Sequence, residues 1–268
     1  MITSNSNSRI KYIIKLQQKA RFRQEEGLFV CEGVRFVMEV PVNLLFEVYV
    51  TPERASDTRL SAWLDNITAA GIPINEVQES VMNHMAMTMH PQGILALARI
   101  PRASLEDLTD EPHSLIICLE HVSDPGNAGT IFRTAEAAGA GGVIVDRLSC
   151  DCFSPKVVRS TMGSIFRMPC VITDDMPQMI NKLSSKGFNT LAAVADADTV
   201  SYDAVSYLDN TAIVIGNEGD GLSSGAIAAC SRSIFIPMHG ATESLNASMA
   251  AGIILFEAAR QRRHADMV

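Results

Sequence analysis

Three short stretches gather amide, carboxylate, hydroxyl and guanidinium groups where an apolar run gives way to a helical one. They are "DPGNAGTIFRTAEAAGAGG" from position 124, "VIGNEGDGLS" from 214 and "IPMHGATESLNASMAAGIILFE" from 236. In the first, Asp-Pro-Gly makes a turn, Asn127 is placed to cap a helix and Gly139 to stop it. Ile131, Ala135 and Ala138 share the stripe that should face a sheet, while Asn127, Thr130 and Arg133 step by three along another side. Arg133 is either a surface ion pair, with Glu136 as partner, or a fixed cation for a ligand. In the second stretch three glycines let backbone amides approach a ligand closely. It lacks the Gly-Lys-Ser/Thr ending of a phosphate loop, and serine at 224 breaks the G-x-G-x-x-G spacing. The Glu218 carboxylate would repel a pyrophosphate and suits a cationic or hydroxyl-bearing ligand. In the third, Ser244 is placed to cap a helix starting at Leu245, whose free amides suit a ligand carboxylate. His239, Thr242, Glu243 and Asn246 crowd the same turn, and alanines at 247, 250 and 251 allow tight packing by another helix or a second chain.

The elements that must position these groups follow from apolar patterning. From Ser114 onward "LIICLE", "GGVIV", "MPCVI", "NTLAAV", "TAIVIG" and "SIFIPM" alternate with helical stretches. Such continuous apolar strands are buried on both faces, which predicts a parallel sheet sandwiched by helices. Ligands of open sheets sit at the carboxyl ends of the strands, where the three polar stretches fall. Up to Arg99 a smaller α/β unit is expected: helices near 9–20, 35–40 and 59–70, and strands at "GLFVCE", "FEVYV", "IPINEV" and "GILALAR". Residues 101–113, with two prolines and no apolar period, read as a linker between domains 1–100 and 114–268.

Composition narrows the class. Apolar residues make up 47% of the 268 positions, so a substantial core can form, and a net charge of −8 argues against wholesale coating of nucleic acid. The charge is uneven: residues 1–40 hold seven basic against four acidic side chains, a candidate electrostatic footprint or a solvated helix face. The six cysteines form no CxxC pair and no zinc spacing, which suits a reducing compartment. No apolar signal core or run of roughly 18 apolar residues is present, so no membrane is expected and the location read is cytoplasmic. The stretch "VMNHMAMTMH" from 81 reads as core filler, with no metal expected.

Taken in order and spacing, the three polar stretches resemble the three signature motifs of the SpoU/TrmH family of RNA ribose 2′-O-methyltransferases, in the SPOUT superfamily. "FVCEG" and "PQGILALAR" resemble, more loosely, that family's amino-terminal substrate-binding domain. The resemblance implies a C-terminal parallel-sheet α/β domain with a deep trefoil knot, preceded by a small α/β, ribosomal-protein-like RNA-binding domain. It implies S-adenosylmethionine as cofactor, held near Ile215, Gly216, Asn217, Ile236, Met238 and Leu245. RNA, ribosomal or transfer, is the implied partner, contacted by the basic run Arg9, Lys11, Lys15, Lys19, Arg21 and Arg23. A homodimer with sites at its interface is also implied.

The implied reaction is attack of a ribose 2′-hydroxyl on the cofactor's methyl group, with Arg133, Asn127, Glu218, Ser244 and Asn246 as the catalytic set. A guanidinium stays protonated, so Arg133 is expected to act as a fixed cation on the developing oxyanion and a neighbouring phosphate rather than as a base. Two rivals differ in class. An RNA-binding module that kept the fold need not take up the cofactor, and a nicotinamide oxidoreductase would bind NAD.

Overall fold

A computed structural model describes residues 1–196, 198–240 and 244–265; Thr242 and Glu243 of the third stretch lie outside them. The chain divides into two compact units, Met1–Pro101 with Asp151–Phe166, and Arg102–Cys150 with Arg167–Val268.

The first unit is built on a four-stranded sheet of β1 (Leu28–Glu32), β2 (Leu45–Val50), β3 (Ile74–Glu76) and β4 (Ile94–Arg99), in the order β1-β4-β2-β3. β4 runs antiparallel to β1 and β2, and β3 parallel to β2. The helix Ser8–Gln18 buries Ile10, Ile13 and Leu16 at helical spacing. A second helix, Ala20–Glu26, follows, beyond the single helix near 9–20 that the sequence reading expects here. Met82 and Met85 are buried core residues, whereas Met87 and Met89 are exposed.

One member of the basic run departs from expectation. Arg23 is only 4% exposed. Its guanidinium donates to the carbonyls of Leu16 (2.5 Å) and Gln17 (2.9 Å) at the end of the first helix, and pairs with Asp151 at 2.5 Å. Helix ends leave carbonyls that need donors, so Arg23 is a buried strut with little surface left for RNA. Residues 151–166 join this unit: Phe153 and Phe166 pack on Phe29 at 5.2 and 5.9 Å, and the helix Pro155–Ser160 buries Val157 and Val158. The boundary read from sequence therefore differs here, because nothing local in that apolar stretch says which core it will join. The 101–113 stretch differs too. It holds a helix, Leu105–Thr109, with a Ser104–Asp107 capping box and a buried Leu108.

The second unit carries seven strands: β5 (Leu115–Leu119), β6 (Gly142–Asp146), β7 (Cys170–Thr173), β8 (Asn189–Ala193), β9 (Val200–Ser201), β10 (Thr211–Ile215) and β11 (Arg232–Phe235). Their order is β7-β6-β5-β10-β8-β11-β9, and every recorded pair is parallel. All six strands read from the sequence are present; β9, at two residues, is too short to show a period. The order reverses between β5 and β10, and in open parallel sheets ligands bind outside the carboxyl ends of the strands.

Two helix starts differ from the sequence reading. The helix Pro125–Ala137 is capped by Asp124, whose carboxylate accepts from the Asn127 backbone N–H at 2.8 Å, so Asn127 sits inside the first turn. The last helix, Ala247–Ala265, is capped by Asn246, which accepts from the N–H groups of Ser248 (2.9 Å) and Met249 (3.3 Å); Ser244 does not cap it. Asparagine is a strong cap and lies one residue before the helix. The small residues of this helix serve the fold itself. Ala251 is buried, and a Cβ on Gly252 would lie 3.6 Å from Thr134 on the Pro125–Ala137 helix.

Candidate functional site

The turns after β10 and β11, with the loop after β8, enclose a cleft of 540 Å³ in the second unit. Its walls mix main chain with modest apolar side chains: Ile215, Gly216 and Asn217 from one turn, Ile236, Met238 and Leu245 from another. The turn after β10 is closed on itself. Asn217 and Gly221 exchange N–H···O bonds of 3.0 Å each, and Gly221 takes a φ of 69° that favours glycine. Gly216 has no room for a side chain, since a Cβ there would meet the Gly221 carbonyl carbon at 2.4 Å. Asn217 completes the clamp by donating to the His121 carbonyl (2.8 Å) and accepting from the Gly219 N–H (2.7 Å).

Behind this turn, Glu120 is 2% exposed and accepts from both the backbone and the hydroxyl of Ser223, at 2.8 Å each. The nearby Cys230 thiol is pushed up to about 12 by burial, with the Glu120 carboxylate adding to the effect. It stays protonated at neutral pH and is no nucleophile there.

The polar side chains converge from three turns. Asn127 donates its amide to Glu218 and accepts from the Asn246 amide (2.9 Å) and the Ser248 hydroxyl (3.2 Å). Because Asp124 takes the capping role, the Asn127 side chain is left to bridge turns 91 and 119 residues away. Ser244 and Glu218 line the cleft.

Arg133 stands apart from this group. It is exposed, does not line the cleft, and has no hydrogen bond or ion pair recorded among the described residues. Six residues along a helix turn it well away from Asn127, while Glu136, its candidate partner from sequence, pairs with Arg167. In the first unit Lys11, Lys15, Lys19 and Arg21 are exposed, Arg9 is bound to Glu47 at 2.6 Å, and Arg23 is buried.

Sequence reasoning missed Ser248, and also Ala195, Asp196 and Thr199 in the cleft wall after β8. The rule that polar groups just after strands merit attention would have found Asp196 and Thr199.

Comparison with known proteins agrees with this architecture. Residues 114–256 match the model of the SpoU rRNA Methylase family, and residues 7–96 that of the MRM3-like substrate binding domain. An uncharacterized tRNA/rRNA methyltransferase of Mycolicibacterium gilvum is 34% identical, over 92% of this chain and 81% of that protein. The 23S rRNA (guanosine(2553)-2′-O)-methyltransferase RlmP of Bacillus subtilis is 28% identical, over 95% and 97%. Among solved structures, the AdoMet-bound rRNA methyltransferase of Sinorhizobium meliloti superposes with a TM-score of 0.85 at 30% identity, covering 98% of this chain and 97% of that one. The SpoU methyltransferase AviRb of Streptomyces viridochromogenes in complex with AdoMet also gives 0.85, at 25% identity, covering 96% and 98%.

Proposed function

The chain belongs to the SpoU rRNA methylase family, and from that premise we propose how its own residues carry out S-adenosylmethionine-dependent methylation of a ribose 2′-hydroxyl in ribosomal or transfer RNA. The observation that carries the reading is the cleft at the ends of β10 and β11, lined by Glu218 and Ser244, with Glu218 accepting from Asn127 and Asn127 in turn accepting from Asn246.

The residues present fit the cofactor. The cleft volume falls within the roughly 300–1,000 Å³ of small-molecule sites. Ile215, Ile236, Met238 and Leu245 offer apolar contact to a flat ring, and the side-chain-free Gly216 leaves main-chain groups open. When bound, S-adenosylmethionine supplies an electrophilic methyl group on a sulfonium, a good leaving group. The protein's work is then alignment. Asn127 holds Glu218 and Asn246 in one arrangement, and with Ser244 these groups orient the ribose by hydrogen bonds. Arg133 is the fixed cation that supports negative charge developing on the 2′-oxygen as its proton leaves to water or to a neighbouring phosphate, which the guanidinium also grips.

Because Arg133 does not line the cleft of its own chain, the site is completed by a second copy in a homodimer. The exposed Met249 and Phe256, seven residues apart on the last helix, lie on one face and suit burial there. The carboxyl-terminal segment is threaded as the trefoil knot of the family. Residues 1–100 act as a ribosomal-protein-like RNA-binding domain, with Lys11, Lys15, Lys19 and Arg21 toward phosphates, and residues 114–268 as the methyltransferase domain. The protein works in the cytoplasm, a reducing compartment that suits its free cysteines.

The test is to incubate the protein with total RNA and labelled S-adenosylmethionine and map the modified nucleotides. Label confined to a ribose 2′-oxygen is expected. Label on a base, or cofactor binding with no transfer to any RNA, overturns the reading.

A further inference from the structure

One surface of the first unit is organised beyond what phosphate attraction needs. The Lys15 ammonium lies 3.7 Å from the Phe22 ring centroid, and Phe22 meets Tyr12 edge-on at 5.3 Å. The Arg9 guanidinium sits 4.6 Å from the Tyr12 centroid and 5.7 Å from that of Phe46. On Phe46 a second guanidinium, Arg99, lies at 4.9 Å. Two rings thus lie close to one arginine, and two arginines close to one ring.

The backbone explains how Phe46 joins. The β2–β4 register slips between Leu45 and Glu47, so Phe46 has no partner on β4. Such bulges re-aim a side chain, and Arg9 reaches Phe46, Glu47 and Tyr49 together. The inner members are pinned. Arg9 is bound to Glu47 at 2.6 Å and to the Tyr49 hydroxyl at 3.0 Å, and the Tyr12 hydroxyl donates to Glu26 at 2.7 Å. The outer member is open. Arg99 is exposed, and its stacking on Phe46 is its recorded side-chain contact among the described residues.

A rigid stack that ends in an exposed guanidinium plane is the surface an unpaired nucleobase binds, by stacking and cation–π attraction. A paired base hides both faces in its helix and cannot use it. The exposed Lys11 and Lys15 supply the matching positive charge for the flanking phosphates. We propose that this ladder is a stacking platform for a single unpaired base of the substrate RNA, with Arg99 as the contact plane and Phe46 as its backing. The proposal rests on the reading of the chain as an RNA methyltransferase, and it adds that the RNA presents a splayed-out base to the first unit.

The full chain is titrated with an RNA hairpin carrying 2-aminopurine in its loop, and with a fully paired duplex of the same composition. Calorimetry with S-adenosylmethionine runs in parallel. The wild type should alter the loop fluorophore and prefer the hairpin. Arg99→Ala and Phe46→Leu should each weaken hairpin binding by about tenfold, the scale of losing one stacked base, and leave duplex and cofactor binding unchanged. Arg99→Lys should behave as Arg99→Ala, because an ammonium has charge but no plane. Wild-type affinity in Arg99→Lys, equal losses for hairpin and duplex, or cofactor binding with no hairpin preference would each overturn the platform. Hairpin stacking without cofactor binding would instead leave the platform standing and sink the methyltransferase reading.

Discussion

Two arginines of the first unit, Arg9 and Arg23, and one of the second, Arg133, are put to opposite uses. In the first unit Arg23 is buried against Asp151 and two helix-end carbonyls, and Arg9 is locked by Glu47 and Tyr49. In the second unit Arg133 rides an exposed helix face with no recorded partner among the described residues, while Asn127, Glu218 and Asn246, apart from it, satisfy one another. A guanidinium held by several acceptors of its own chain is architecture. On the proposed reading, the one left open keeps its hydrogen bonds for a ligand held by a second copy, where a charge in a fixed position costs little reorganisation when negative charge develops.

The comparison is broken most directly at Arg133. Arg133→Ala should lower the rate of methyl transfer by roughly 100- to 1,000-fold, the scale of losing one preorganised donor to an oxyanion. Cofactor affinity and the thermal midpoint should stay near wild type, as read by calorimetry and melting. A lysine at 133 that restored full turnover would show that a point charge suffices and no planar grip is made.

Arg23 should give the mirror-image result. Arg23→Ala strands Asp151 and the Leu16 and Gln17 carbonyls, and should destabilise the fold by about 3–5 kcal/mol, the usual cost of removing one partner of a buried pair. Urea denaturation reads this directly. If stability were unchanged and only RNA affinity fell, Arg23 would be a contact after all.

Gly216 tests whether the turn after β10 is a built wall of the cleft. Gly216→Ala forces a methyl group into the Gly221 backbone, and ~1–3 kcal/mol of overpacking should weaken S-adenosylmethionine binding by about tenfold or more. Unaltered affinity in calorimetry would remove that turn from the cofactor site.

The smallest effect sharpens the first unit's side of the contrast. Burial, and then the hydrogen bond to Glu26, push the Tyr12 hydroxyl from its ordinary 10.0 up to about 12. Between those values the folded chain keeps a proton that the unfolded chain has released, so stability falls as pH rises through that window. Tyr12→Phe should flatten this alkaline loss in denaturation curves taken at pH 9 to 12. An identical slope in the variant would show that Tyr12 contributes nothing to it.

Much of the second unit was legible from local patterning. Its six longer strands stand out as continuous apolar runs, and each polar stretch follows a strand, which puts the site at the sheet's carboxyl edge. The sequence reading erred where two nearby residues competed for one role. Asp124 displaced Asn127 as a cap, and Asn246 displaced Ser244, because either residue of each pair has the right oxygen and only the path of the turn decides. The first unit was harder. Nothing in "KLQQKARFRQ" marks Arg23 for burial or Lys15 and Phe22 for stacking.

What the sequence determined by itself was local: which stretches are strands or helices, where glycine must stand, and which polar groups sit at strand ends. What only the tertiary structure decided was pairing across distance: Asn127 with Glu218 and Asn246, 91 and 119 residues away, and Arg23 with Asp151, 128 away. The reason is physical. Periodicity and turn chemistry act within a few residues along the chain, whereas the partner of an arginine or an amide is chosen by which strands come to lie side by side.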